Sequence, residues 1–283
     1  MVANDLRFTQ SKSVLKTLAM NSFKAIDEGL YEINTRNERN YFNHKTISLK
    51  NRIRSSSVVP LITEIKYASP SKGVLADSKT FRVEEIASTM ESAGSAGISI
   101  LSQPYLFNGS ITNVLKARRA TTLPLLMKDI IVSDTQIKAA KTAGADCVLF
   151  IKSVFDRNLA EKDLETLIEY ASSIGLETIL EIHDIDEFKE AIKLQRHYSH
   201  DIHIIGINNR NLDTLETSLD TTINILSSVP KSGNTVISES GIERPEDIAG
   251  LLEVGTDGFL IGTSLMENPE SISKRIKELT SSR

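Results

Sequence analysis

The sequence predicts a (β/α)8 barrel, on three observations. Eight short β-branched or aliphatic runs recur along the chain: Val58 to Lys66, Gly97 to Ser102, Leu123 to Asp129, Cys147 to Ser153, Glu177 to His183, Ile204 to Asn209, Thr235 to Ser240 and Gly258 to Thr263. After a longer first step, their starts are spaced by roughly 25 to 30 residues, the length of a strand plus a crossover helix. Most of the runs end on a charged or amide side chain instead of fading into a loop. In such a barrel the carboxyl ends of all eight strands meet at one mouth, so Lys66, Lys128, Glu181, Asn208 and Glu239 are expected to face one another there. A length of 283 residues suits one barrel with an addition. The reading is therefore a single domain over 1–283, with 1–57 as an N-terminal helical extension.

In that extension Leu15, Leu18, Ile26, Leu30 and Ile33 follow helical spacing. Leu49 to Arg54 forms a short second helix before Ser55, Ser56 and Ser57 break it. Two roles are open to it: plugging one end of the β-cylinder, or helping to shape the substrate pocket. Farther along, Ala93-Gly94, Ala143-Gly144 and Val254-Gly255 each place a glycine where a helix stops ahead of the next strand. The strings Ala143-Gly144-Ala145-Asp146 and Val254-Gly255-Thr256-Asp257 echo one repeated unit, which bears on architecture.

Composition removes several classes of partner. The net charge is −4 with acids and bases interspersed, so no basic face exists for a nucleic-acid backbone and no polybasic run for anionic lipid. The single cysteine, Cys147, lies in an apolar run and reads as a small buried hydrophobe, which suits a reducing cytoplasm. Asp5, Arg7, Lys12 and Lys16 interrupt any apolar leader, and no segment approaches the ~20 apolar residues of a membrane span. No His/Cys/Asp cluster has metal-ligand spacing, and no nucleotide-binding glycine string occurs, so catalysis is assigned to side chains alone.

The chemistry begins in the first strand. Side chains alternate across a strand, so Glu64 and Lys66 share the inward face. Opposite charges aimed into a barrel must pair or meet a ligand; a structural ion pair is the alternative to a catalytic one. Ala68-Ser69-Pro70-Ser71-Lys72-Gly73 follows as a loop rich in turn formers, consistent with closure over the mouth. Lys128 comes after three large apolar residues, where desolvation is expected to lower its pKa and suit it to general acid work; a lysine snorkelling outward is the alternative. Glu181, inward among apolar neighbours, is expected to have a raised pKa. His183 shares its parity and reads either as a partner of Glu181 or as a solvated loop histidine, the latter preferred. Asn208 and Arg210 offer amide and guanidinium donors for hydroxyl and anion recognition. Gly241, in Ser240-Gly241-Ile242, lets backbone approach a ligand, and with Gly262-Thr263-Ser264 it supplies the amide-exposing loops on which barrels hold phosphate.

These strings, taken together, resemble a known family. Glu64-Ile65-Lys66 with Ala68 to Gly73, Phe107-Asn108-Gly109-Ser110, Leu126-Met127-Lys128-Asp129, Gly206-Ile207-Asn208-Asn209-Arg210-Asn211-Leu212, Glu239-Ser240-Gly241-Ile242 and Leu260-Ile261-Gly262-Thr263-Ser264-Leu265-Met266 are similar to the signature strings of indole-3-glycerol phosphate synthase. They stand in the family's order from about Phe23 to Pro269. The resemblance implies a TIM barrel enzyme of tryptophan biosynthesis without a cofactor. Its reaction would be ring closure, decarboxylation and dehydration of 1-(o-carboxyphenylamino)-1-deoxyribulose 5-phosphate. It leaves room for association with other enzymes of the pathway. Lys128 is expected to be the acid at the ketone oxygen and Lys66 to hold the anthranilate carboxylate, with the division between the two lysines left open. By resemblance Glu181 moves a proton during dehydration, Glu64 orients Lys66, and Asn208, Glu239 and Ser240 contact the substrate's polar groups. Ser69, Arg210, Gly241, Gly262 and Thr263 are the phosphate-side candidates, and Phe107 flanks the aromatic ring. Exchange of Lys128 for methionine is expected to abolish turnover with little loss of stability.

Three positions depart from the family's pattern. Ile130 stands where an aromatic residue is usual, Tyr67 where a basic one is, and Lys152 where an aliphatic one is. Lys152 is expected to point outward into solvent. Two rivals remain: a sugar-phosphate isomerase on the same barrel, which would want a Cys or Asp acid/base pair at the strand ends, and a catalytically silent barrel, which would not retain so many inward charges.

Overall fold

Eight parallel strands close on themselves in sequence order: β1 Leu61–Ile65, β2 Gly97–Leu101, β3 Leu125–Lys128, β4 Cys147–Ile151, β5 Glu177–Ile182, β6 Ile204–Asn208, β7 Val236–Glu239 and β8 Gly258–Ile261. β8 pairs back onto β1 through Leu61 and Phe259, so no edge is left open. The structure is a computed structural model and describes residues 13–34, 40–70, 72–197 and 202–281. Ser71 of the first loop, and Asp5, Arg7 and Lys12, lie outside the described residues. The helices are α1 Val14–Asp27, α2 Leu49–Arg54, α3 Val83–Ser92, α4 Pro104–Phe107, α5 Ile111–Ala120, α6 Asp134–Ala143, α7 Lys152–Asp156, α8 Leu164–Ser173, α9 Ile185–His197, α10 Asp220–Ser228, α11 Pro245–Glu253, α12 Thr263–Met266 and α13 Ile272–Thr280. The (β/α)8 barrel read from the sequence is thus the fold, with an added helical segment at its N-terminal side.

Local chemistry starts and stops these elements where the pattern required. Ser110, Ser133 and Asp163 accept from the amides of Thr112, Thr135 and Thr166, capping α5, α6 and α8. Gly144 ends α6 at φ 89°, a left-handed conformation that a side chain would strain. The two echoing strings do the same job. Asp146 accepts from the amide of Leu125 at the head of β3, and Asp257 from the amide of Val236 at the head of β7. Each is met by a cation, Arg118 at 2.9 Å and Lys231 at 2.6 Å. Asp146 also takes His44 Nε2 at 3.0 Å and the amide of Ile47 at 2.8 Å, tying the segment before α2 to the barrel floor.

The barrel interior is layered. Ile62, Leu126, Ile179 and Ile237, one from each odd-numbered strand, join Cys147, Leu149, Ile204 and Leu260 of the even ones in a single apolar cluster. Two residues farther along every odd strand, on the same face, stand Glu64, Lys128, Glu181 and Glu239. An aliphatic floor therefore carries a ring of four ionisable groups.

The N-terminal segment reaches both ends of the cylinder. Leu49 and Ile53 of α2 belong to the interior cluster and fill the floor beneath Gly97 and Gly258, where an added Cβ would meet Leu49 Cδ1 at 2.6 Å and Ile53 Cγ2 at 3.4 Å. Leu18 of α1 instead lines the cavity at the opposite end. The helical spacing extended from Leu15 through Ile33, but α1 ends at Asp27, so Leu30 and Ile33 follow it in turns. Glu177 at the head of β5 holds α2 in place, accepting from the amides of Leu49 at 2.8 Å and Lys50 at 3.1 Å and from the Ser48 hydroxyl. A carboxylate there satisfies donors that the helix start leaves unpaired.

Candidate active site

A cavity of about 380 Å³ opens at the carboxyl ends of the strands. Of the thirteen residues singled out from the sequence, Glu64, Lys66, Ser69, Phe107, Lys128, Glu181, Asn208, Arg210, Ser240, Gly241, Gly262 and Thr263 line it. Glu239 does not: it is fully buried beneath Lys128 and reaches the cavity only through that ammonium.

The ring of charges sorts into two groups. Lys66 Nζ lies 2.9 Å from Glu64 Oε1, one strand position apart on the same face. Lys128 Nζ lies 2.6 Å from Glu239 Oε2 and 3.3 Å from Glu181 Oε2. Two glycines make the packing possible. A Cβ on Gly206 would collide with Glu239 Oε1, and one on Gly262 would stand 2.5 Å from Glu64 Oε1. Gly262 thus makes room for the Glu64 carboxylate as well as lining the cavity. A glycine in the middle of the apolar run Ile204 to Asn208 was a readable signal of such close approach, and the sequence reading passed over Gly206.

The ionisation states differ from those inferred by desolvation alone. Burial pushes the Lys128 ammonium down, but the carboxylates of Glu239, Glu181 and Glu64 push it up by more, so it is held well above the ordinary lysine range. Burial pushes Glu181 up, yet Lys128, His183 and Asn208 together hold it below the usual carboxylate range. Glu239 goes the other way. Burial raises it, and repulsion from Glu181 and Glu64 adds to that, outweighing Lys128. Its Oε1 has no hydrogen-bond partner, as suits a carboxyl that keeps its proton more readily than its neighbour. The lowered Lys128 and raised Glu181 expected from the sequence are therefore both reversed, because their apolar strand neighbours lie outside the ring while the charges lie within it.

His183 and Lys152 also need correction. His183 is not a solvated loop histidine. Its ring is largely sheltered, with Nε2 3.3 Å from Glu181 Oε1 and Nδ1 3.5 Å from Glu187 Oε2. Lys152 does point away from the cavity, but it is buried at the first turn of α7, with Nζ 2.8 Å from Asp156 and 2.6 Å from Glu190. It adds no second cation near Lys128.

The remaining wall is polar on one side and apolar on the other. Asn208 donates to Glu181 Oε1 at 3.0 Å and accepts from the Arg210 amide at 3.0 Å. Arg210 donates to the Leu215 carbonyl, and burial lowers its pKa while Glu64 works to raise it. Ser240 and Gly241 have φ of 71° and 79°, a tight left-handed turn beside Gly262 and Thr263. Ser69 accepts from the amide of Lys72 in the hairpin formed by residues 68–69 and 73–74. Lys72 Nζ bridges to Glu267 beyond α12 at 2.5 Å, joining the first and last loops across the mouth. Phe107, Leu18, Ile130, Leu149, Ile151 and Leu212 form the apolar side. Asp129, missed as a site residue, lines the cavity too. Burial brings its carboxyl to about 6, and it accepts from Tyr31 at 2.8 Å and Ser102 at 2.7 Å. Among the described residues no group of three His, Cys, Asp or Glu is arranged to hold a metal ion, and no helix is long and apolar enough to cross a membrane.

Known proteins match most of the chain. The family model described as indole-3-glycerol phosphate synthase matches residues 17–279. A protein of that name from Campylobacter fetus is 37% identical over 82% of this chain and 84% of its own length. Another from Bordetella pertussis is 41% identical over 73% and 74%. Among solved structures, an N-acetylmannosamine-6-phosphate 2-epimerase from Clostridium perfringens superposes with a TM-score of 0.56 at 14% identity, covering 83% of this chain and 98% of that one. A chain from the tryptophan synthase α2β2 complex of Pyrococcus furiosus gives a TM-score of 0.55 at 14% identity, over 78% and 97%. At such identities the structural likeness concerns the barrel alone.

Proposed function

The chain belongs to the indole-3-glycerol phosphate synthase family, and from that membership we propose how its own residues carry the reaction. The enzyme is a carboxy-lyase of tryptophan biosynthesis acting on a small phosphorylated substrate. The observation that carries the assignment of roles is the pair of ammonium groups, Lys66 and Lys128, each held by carboxylates and both opening on one cavity.

In the first step the ring carbon bearing the carboxylate attacks the ketone carbon. A carbon–carbon bond forms while the carbonyl π pair moves to oxygen. Lys128 donates to that oxygen. Its ammonium stays charged, so its first contribution is a fixed positive charge where negative charge develops, followed by proton delivery. Glu239, the carboxyl with the raised pKa directly behind it, returns a proton to Lys128. Lys66 holds the substrate carboxylate until the bond to CO2 breaks and its electron pair restores the aromatic ring. In dehydration the hydroxyl leaves with a proton from an ammonium. Glu181, ionised and bound by Asn208, takes the proton from the adjacent methylene. Glu64 keeps Lys66 aimed inward, and Ser240 and Asn208 meet the hydroxyls.

Phosphate sits at the side formed by Ser240-Gly241, Gly262-Thr263, Ser69 and Arg210, and Phe107 covers the aromatic ring with the other apolar wall residues. Within the same reading the enzyme works in the cytoplasm, where the thiol of Cys147 stays reduced.

Incubation of the purified protein with 1-(o-carboxyphenylamino)-1-deoxyribulose 5-phosphate is expected to give indole fluorescence. Lys128→Met and Lys66→Met should each lower kcat by about 10²-fold or more. A wild-type rate in either variant removes that lysine from the mechanism, and a non-indole product would favour an isomerase.

A further inference from the structure

His183 lies behind Glu181, outside the cavity wall, between two carboxylates. Neither contact has hydrogen-bond alignment, so the ring is held by charge at 3.3 and 3.5 Å. The outer carboxylate is fixed independently. Glu187, in the first turn of α9, accepts from the Ser153 hydroxyl at 2.6 Å through Oε1 and from the His183 amide at 2.7 Å through Oε2. On the inner side, the two oxygens of Glu181 have different surroundings. Oε1 is shared by Asn208 Nδ2 at 3.0 Å and His183 Nε2, whereas Oε2 faces Lys128 at 3.3 Å.

We propose that His183 is a positioning residue for the reaction: anchored by Glu187 and Ser153, its imidazolium locks Oε1 of Glu181 and so leaves Oε2 as the oxygen that takes the substrate's proton. This rests on the proton-accepting role given to Glu181 above. Without the ring, the Glu181 carboxylate keeps Asn208 on Oε1 and Lys128 on Oε2 but loses the second group that fixes Oε1, so its orientation is held less tightly. It also loses the nearest positive charge other than Lys128.

The electrostatics agree with the geometry. Burial pushes the His183 imidazole down, but Glu181 and Glu187 push it up further, to about 9, so the ring is charged at neutral pH. The ionisable groups facing it are Glu181 on its own strand, Glu187 from α9 and, more distantly, Asp213 after β6, whose carboxylate His183 helps to keep low. Asp213 is in turn paired with Arg157 at 2.8 Å. Lys128, on the far side of Glu181, completes the set.

The test is the pH dependence of kcat in His183→Asn, Glu187→Gln, the double variant and Glu181→Gln, each checked for folding by thermal melting. His183→Asn is expected to lower kcat by about 10-fold or more with KM within about twofold, as losses behind a functional group typically do. The acid limb of its profile should move upward, because Glu181 then protonates more easily. Glu187→Gln should shift the limb the same way by less, and the double variant should be no worse than His183→Asn. An acid limb and kcat unchanged in His183→Asn overturn the proposal; if that variant fails to fold, an unchanged limb in Glu187→Gln does so. Glu181→Gln separates the two levels. If it retains wild-type kcat, the role of Glu181 is wrong and the proposal falls with it, whereas an inactive Glu181→Gln beside an unaffected His183→Asn overturns the proposal alone.

Discussion

Lys128 shows what parity in a strand can and cannot disclose. The alternation of Leu126, Met127 and Lys128 placed the ammonium inside the barrel, and it is there. Its protonation was misjudged because the three carboxylates that decide it come from residues 64, 181 and 239, on strands whose mutual distances no linear spacing encodes. The same geometry changes the expected cost of removing it. Lys128→Met leaves Glu239 and Glu181 buried without their cation, so the already raised carboxyl of Glu239 rises further above its unfolded value and that of Glu181 loses the main charge that holds it low. A raised carboxyl contributes stability that is present below its unfolded pKa and lost as pH rises through the folded value. The variant should therefore lose about 3–5 kcal/mol at pH 8 and clearly less at pH 5. Urea unfolding at both pH values checks it, and a pH-independent loss would contradict the ring of charges. His183 and Glu187 were equally hidden, since a histidine past a strand end looks the same whether it meets water or two carboxylates.

At the level of elements, boundaries were legible where a chemical stop exists. The triple serine after Arg54 marked the end of α2, and the glycines after α3, α6 and α11 marked theirs. They were not legible where an apolar run simply changes direction: the run Cys147 to Ser153 ends as a strand at Ile151, and Lys152 opens α7. The division of labour between α1 and α2 was also beyond reach, because it depends on the contacts of Leu49 and Ile53 with two distant glycines. The anchoring of α2 by Glu177 can be measured. Glu177→Ala removes the acceptor of two backbone amides and should cost about 1–2 kcal/mol, in the range of a lost helix cap. Turnover at a permissive temperature should be unaffected, since Glu177 lies at the amino end of β5 while Glu181 lies at its mouth. A fall in kcat without a fall in stability would show that the floor and the mouth are coupled.

Across the molecule, stability and chemistry occupy opposite ends of one cylinder. Asp146, fully buried at the floor, gathers Arg118, His44 and two backbone amides, whereas the mouth holds the charges assigned to catalysis. Asp146→Asn leaves the buried Arg118 guanidinium without its counter-charge and turns one of the two acceptor oxygens into a donor that faces donors, at a cost of about 3–5 kcal/mol. That corresponds to a melting point lower by roughly 6–20 °C. The expected kcat and KM at 20 °C or below the transition are unchanged, and an equal loss of both would deny the separation. The floor also has a consequence for biosynthesis. Ile53 leaves the ribosome early, but the bare backbone it covers, Gly258, is made some two hundred residues afterwards. The cylinder cannot be sealed until Gly258 has been made, so the nascent chain must carry α2 without its final seat, and synthesis that stops before that strand yields a vessel open at the base.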